Sequence, residues 1–210
     1  MTLQNKRRAD TVIVLDFETT GLSPNGGDRA IEIGAVRIEK GKICERFQSL
    51  MNPGKRVPGF IEEYTGITNA MLKTAPPCKT VMADFANFVE DFDMVAHNAS
   101  FDSRFLMAEC RRIKRNPSGE FACSMLASRR LYPDAPNHKL GTLVGFHQLP
   151  TDGTFHRALA DAEMTAHLWL KMLIDLEDSY QLKRIPFSLM QDIAKTPKAK
   201  IDRFLKDWKS

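Results

Sequence analysis

The chain is poor in everything that would place it outside the cell or in a membrane. Its four cysteines, Cys44, Cys78, Cys110 and Cys123, are scattered, with no C-x-x-C pair and no nearby Cys/His cluster. That argues against a disulfide framework or a zinc site and leaves buried, reduced thiols as the expectation. The cleanest apolar run near the N-terminus, Val12–Leu15, is ended by Asp16. A bilayer span needs about 20 apolar residues and a secretory leader about 7–15. Neither is visible, so a soluble cytoplasmic chain with no membrane partner is expected. Low-complexity tracts and internal repeats are also missing.

What is there is ordinary in bulk and uneven in detail. With 43% hydrophobic and 27% charged residues over 210 positions, the chain has the composition of one globular domain with room for a small appendage. A chain of this length buries about 70% of its unfolded surface, so neither disulfide nor metal is required for folding. The net charge of +4 is concentrated at one end: residues 181–210 hold eight Lys/Arg against three Asp. A basic segment suits a polyanionic partner, and equally a solvated helix face.

Local patterning predicts an α/β chain. Thr11–Phe17 reads as a short buried strand, and Ala30–Glu39 as a half-buried one with Ile31, Ile33, Val36 and Ile38 alternating with polar residues. Lys40-Gly41-Lys42 predicts a hairpin turn into a third strand, Ile43–Met51. Helices are predicted at 60–64, 80–92, 101–113, 124–131, 140–147 and 157–176, with short strands at 94–97 and 121–123. Three antiparallel strands followed by alternating strands and helices imply a mixed five-stranded sheet flanked by helices. Ile185-Pro186 marks a boundary before the basic segment, whose Ile201, Phe204, Leu205 and Trp208 form one helical stripe.

The informative residues are acids that interrupt apolar elements. Asp16 and Glu18 end the first strand, and their i, i+2 spacing puts both on one face. Asp102 opens a helix just after His97-Asn98-Ala99-Ser100-Phe101, and Asp161 lies one turn into the long helix that begins near Arg157. Taken singly, Asp102 is a helix N-terminal carboxylate and Asp161 a solvated helix position. Asp16 is harder to dismiss, because an acid closing a buried Val-Ile-Val-Leu strand is costly without compensation. All four fall where strand ends and helix starts gather at one sheet edge, the usual ligand edge of α/β sheets. Four carboxylates brought together there call for divalent cations, and hard oxygen ligands select Mg²⁺ or Mn²⁺ over zinc. His156 stands in the loop five residues before Asp161. A histidine, with an ordinary pKa near 6.5, is a natural general base for a water activated by such cations. The set reads as metal-assisted hydrolysis of a phosphodiester, with two cations about 3.5–4 Å apart.

At this point the sequence resembles a known family. Asp16-Phe17-Glu18-Thr19-Thr20-Gly21, His97-Asn98-Ala99-Ser100-Phe101-Asp102 and His156-x4-Asp161, in that order, resemble the motifs of the DEDDh 3′→5′ exonucleases. Tyr64-Thr65-Gly66-Ile67-Thr68 also resembles a segment of the epsilon-type members, the proofreading subunits of bacterial DNA polymerase III. The resemblance covers about Val12 to Leu170. With the charge distribution, residues 1–180 are expected as an exonuclease domain and 181–210 as a basic helical C-terminal arm, and the resemblance implies a ribonuclease-H-like mixed five-stranded sheet. It further implies that Asp16 bridges two metal ions, that Glu18 and Asp161 complete the first site, and that Asp102 supports the second, largely through water. His156 takes the proton of the attacking water. Thr19, Leu22, His97, Asn98 and Phe101 border the terminal nucleotide, although loop packing, capping and core packing account for these five almost as well. The implied partner is a single-stranded nucleic-acid 3′ end, with a DNA polymerase as a second candidate. Two other readings stand beside this one: a catalytically silent nucleic-acid or polymerase-binding module on the same fold, and a metal-free glycosidase using two carboxylates. The first gives no physical reason for keeping mutually repelling acids, and the second leaves two of the four unexplained.

Overall fold

A computed structural model describes residues 7–153 and 156–208 of the chain. Three strands open the fold: β1 (Val12–Thr19), β2 (Ala30–Glu39) and β3 (Lys42–Leu50). They pair antiparallel, with Val14 opposite Val36 and Val36 opposite Arg46. The predicted hairpin turn closes with Lys40 at φ 51° and Gly41 at φ 78°. Two positive φ values give the turn whose twist matches that of the flanking strands. The strands β4 (Met94–Ala96) and β5 (Phe121–Cys123) join parallel to β1 and to each other, so the sheet order is β3-β2-β1-β4-β5. This is the mixed five-stranded sheet that the pattern predicts.

The helices between strands are α1 (Gly59–Thr65), α2 (Asn69–Thr74), α3 (Cys78–Val89) and α4 (Ala99–Arg112). After β5 come α5 (Ser124–Leu131), α6 (Leu140–Phe146), α7 (Ala158–Tyr180), α8 (Phe187–Lys195) and α9 (Ile201–Asp207). Helix α2 is absent from the sequence expectation, being too short to show a period. It forms because Thr68 accepts a hydrogen bond from Met71 N at 3.2 Å, while Gly66 at φ 71° has just terminated α1. The Tyr64–Thr68 segment is therefore a helix stop followed by a helix start. Helix α3 begins two residues earlier than expected, after Pro77, and ends at Glu90, whose φ of 51° breaks the helix.

Strand β1 is buried on both faces. Its even positions, Val12 and Val14, pack with Trp169, Met172 and Leu176 of α7; its odd positions, Ile13, Leu15 and Phe17, pack with Phe85 of α3 and Phe105 of α4. The sheet is thus covered on both sides, and Asp16 and Glu18 continue the even face toward α7. Residues 181–208, expected as a basic arm, are helical in α8 and α9. Leu182, Ile185, Phe187, Leu189, Met190, Ile193 and Leu205 lie in the same core cluster as Trp169. Phe187 N also donates to Arg7 O at 2.7 Å. The cysteines are all unpaired; Cys78 and Cys110 are buried as expected, but Cys44 is exposed because it lies on the edge strand β3. No helix among the described residues is long and apolar enough to cross a membrane.

Candidate active site

Four elements meet at the end of β1. Register places Asp16 opposite Gly34 and Glu18 opposite Glu32 on β2, just before an irregularity between Glu18 and Thr19. A Cβ on Gly34 would lie 2.0 Å from Leu159 N and 2.2 Å from the carbonyl carbon of Ala158. The absence of a side chain at this one position lets the first turn of α7 rest directly on β2, which carries Asp161 to the even face of β1. From the other layer, α4 presents Asp102, whose Oδ1 accepts a hydrogen bond from Phe17 N at 3.1 Å. Asp102 is 2% exposed.

Among the described residues, Glu18, His156 and Asp161 each offer a ligand atom within 4.8 Å of the other two. Burial, with the charges of Asp102, Glu18, Asp161 and Glu32, drives the Asp16 carboxyl well above its usual range. Burial, then Asp161, Glu32 and Asp102, raise Glu18 from 4.5 to about 8 against the opposing pull of Arg157. Asp102 rises to about 7 by burial, restrained by the Phe17 N–H. Asp161 rises by burial, restrained by His156. Four carboxyls so placed that Asp102 and Asp161 penalise the ionisation of Asp16 and Glu18 suit a site completed by divalent cations, and carboxylate oxygens with one imidazole fit Mg²⁺ or Mn²⁺. The nearby Arg157 does not fill this role, because its guanidinium is engaged by Glu32 through Nη2 at 2.9 Å and Nε at 3.2 Å.

His156 is exposed, with a left-handed φ of 59°. Its ring lies against the Tyr64 ring of α1, centroids 4.1 Å apart at 39°. Glu18, His156 and Asp161 are thus brought together, with Asp16 and Asp102 near enough to interact electrostatically within the same group of acids. The expected nucleotide-facing residues divide. Leu22 is 77% exposed. Asn98 is exposed at φ 74°, and Phe101 is half-buried with its ring 5.0 Å from Phe105. Thr19 is buried, its hydroxyl donating to Gly21 O at 2.6 Å. His97 is tied on both sides: Nδ1 lies 2.9 Å from the Ser124 hydroxyl, and Nε2 lies 2.9 Å from the His138 carbonyl, which can only accept. Burial lowers its pKa to about 4, so the ring is neutral near pH 7.

Four participants escape the sequence reading: Glu32, Gly34, Tyr64 in its contact with His156, and Arg157. Glu32 had a usable signal, since it interrupts the run from Ala30 to Val36 as Asp16 interrupts its own strand. It passes for the outer side of a half-buried strand until β2 is known to be covered on both faces.

The family model for exonucleases matches residues 13–169, and the chain belongs to that exonuclease family. It is 35% identical over 185 residues to the DNA polymerase III subunit epsilon of Aquifex aeolicus, across 83% of this chain and 89% of that one. It is 36% identical over 202 residues to a PolC-type DNA polymerase III of Caldanaerobacter subterraneus, across 94% of this chain but only 14% of the relative's length. The fold superposes on Exonuclease X in complex with 5′ overhanging duplex DNA, with a TM-score of 0.66 and 27% identity, over 87% of this chain and 99% of that one. The sheet is accordingly the ribonuclease-H-like one that the motifs imply.

Proposed function

We propose that the chain is a metal-dependent 3′→5′ exonuclease of DEDDh type, releasing nucleoside 5′-monophosphates from single-stranded DNA or RNA ends. The observation that carries this reading is the convergence of Asp16, Glu18, Asp102 and Asp161, in which Asp102 and Asp161 raise the ionisation cost of Asp16 and Glu18, with His156 beside Glu18 and Asp161. These four acids would hold two divalent cations. When bound, such cations supply Lewis acidity to the attacking water and the scissile phosphate, and positive charge for the leaving oxygen. His156 accepts the proton of that water, and the Tyr64 ring seats its imidazole. Phe17 N holds Asp102 in place. Leu22, Asn98, Phe101 and Thr19 border the terminal nucleotide, and His97 shapes this wall from behind through its bonds to Ser124 and His138.

Residues 1–180 form the exonuclease domain in this reading, and 181–210 a basic helical C-terminal arm whose Phe187, Met190 and Ile193 pack into that domain's core. Relatives named as DNA polymerase III components support a polymerase as partner alongside the nucleic-acid 3′ end. The deciding experiment digests matched 3′-labelled and 5′-labelled DNA and RNA oligomers, single- and double-stranded, with Mg²⁺, Mn²⁺ or EDTA. Mononucleotides appear first from the 3′ label, only with metal, and not with Asp16→Asn. Release from the 5′ label, or undiminished turnover in EDTA, overturns the proposal.

A further inference from the structure

The loop that carries His156 has an anchor outside the acid set. Glu32 is 0% exposed and sits opposite Glu18 on the neighbouring strand. Both of its oxygens are taken. Oε1 accepts from Gln48 Nε2 at 2.9 Å and from Arg157 Nη2 at 2.9 Å. Oε2 accepts from Arg157 Nε at 3.2 Å and from Ala158 N at 3.1 Å. A carboxylate with four donors in place has no lone-pair direction left for a cation, which separates Glu32 from the acids of the site. Its bonds fasten two consecutive residues, Arg157 and Ala158, to the central sheet. On one side of this fastening is His156, in a left-handed backbone conformation that a residue with a Cβ keeps only when its surroundings impose it. On the other side is the first turn of α7, where Asp161 N donates to Arg157 O at 3.0 Å.

Resting on the exonuclease reading above for its catalytic consequence, we propose that Glu32 and Arg157 are a positioning pair that fixes where His156 and Asp161 stand relative to Glu18. The pair does not touch the reacting atoms. Its planar, two-pronged geometry sets the direction of the backbone at residue 157 and so the place from which the imidazole reaches the site. A misplacement of about 1 Å in a reacting group costs on the order of 100-fold in rate. The pair's effect therefore falls on turnover rather than on substrate affinity.

The test compares wild type with Arg157→Ala, Arg157→Lys, Glu32→Gln and the double variant Glu32→Gln/Arg157→Ala, all with intact chains. The first readout needs no reaction: hydrogen exchange of the amides of residues 156–162 against those around Trp169. The expected result for Arg157→Ala is exchange at least about tenfold faster at the start of α7, with no change near Trp169. The second is kinetics on a single-stranded oligomer with Mg²⁺. For Arg157→Ala, kcat falls by about 10–100-fold while KM changes by less than about threefold. Glu32→Gln, which keeps an acceptor for Ala158 N, falls less, and Arg157→Lys restores part of the loss but not all. Because the two residues act as one unit, the double variant is no worse than Arg157→Ala. Unchanged local exchange overturns the proposal, as does faster exchange along the whole of α7 or a loss confined to KM. If wild type hydrolyses no oligomer, the exonuclease reading fails by itself, and the exchange measurement still decides whether this pair pins the loop.

Discussion

Crowding four carboxyls at the end of β1 leaves a thermodynamic signature that can be read without a substrate. Glu18 titrates at about 8 in the fold against an ordinary value of 4.5. A carboxyl whose pKa is higher folded than unfolded favours the folded state while protonated, and that advantage is lost as pH climbs from 4.5 through about 8. Other groups narrow the useful window. His97, His147 and His167 are lowered by burial, so their effect runs the opposite way and ends near pH 6.5. Cys78 and Cys110, raised to about 11 by burial, enter from about pH 9 upward. Between about pH 6.8 and 8.8 the acid cluster dominates, and releasing the Glu18 proton over the portion below pH 8 costs about 1.5 kcal/mol. For a domain of this size that is a fall of about 3–6 °C in Tm. Asp16 is raised in the same direction and adds to it. Thermal melts in EDTA at the two pH values should show the fall. Mg²⁺ at about 100 times its Kd should restore about 2.7 kcal/mol at the upper pH. In Asp161→Asn the fall should shrink, since Asp161 is the charge that weighs most on Glu18. A Tm flat over this window in EDTA, or a fall as large in Asp161→Asn as in wild type, would refute the argument that the neighbouring acids burden Glu18.

Three further outcomes follow from named contacts. His156→Ala should lower kcat by about 10²–10⁴ with a smaller change in KM, measured on a single-stranded oligomer; turnover near wild type would assign the base elsewhere. Gly34→Ala forces a methyl into the backbone of Ala158 and Leu159, so it should destabilise by about 1–3 kcal/mol or more in urea titration and lower turnover by displacing Asp161. A chain ending at Pro197 removes Leu205, which is 1% exposed, along with Lys198, Lys200, Arg203 and Lys206. If those cations meet phosphates, the salt slope of log K for single strands should shrink by about 0.7 per lost contact; an unchanged slope with a lower Tm leaves α9 a packing role alone.

Much of this protein is legible in its amino-acid order because the main signals are local. An apolar strand cut off by Asp16 and Glu18, a hairpin turn at Lys40-Gly41, a histidine five residues before an acid on a long helix: each is legible over a few residues, and the order of the three motifs names the family. Short elements without a period, such as α2, were not legible. Nor was any feature defined by two covered faces or by distant partners. Glu32 reads as an outward polar residue until β3, β1 and α7 enclose it, 125 positions separating it from Arg157. Gly34 reads as one more strand residue until α7 is laid on it. Cys44 reads as a buried thiol because cysteines usually are buried, and only its place on an edge strand decides otherwise. Likewise the basic composition of residues 181–210 gives no hint that Phe187, Met190 and Ile193 close the core beside Trp169. Charge counts describe a segment's surface, whereas its burial depends on which apolar face the rest of the chain leaves open. The acids of the site were therefore written in the sequence, and the elements that hold them together came only with the packing of α7 and α4 on the two faces of β1.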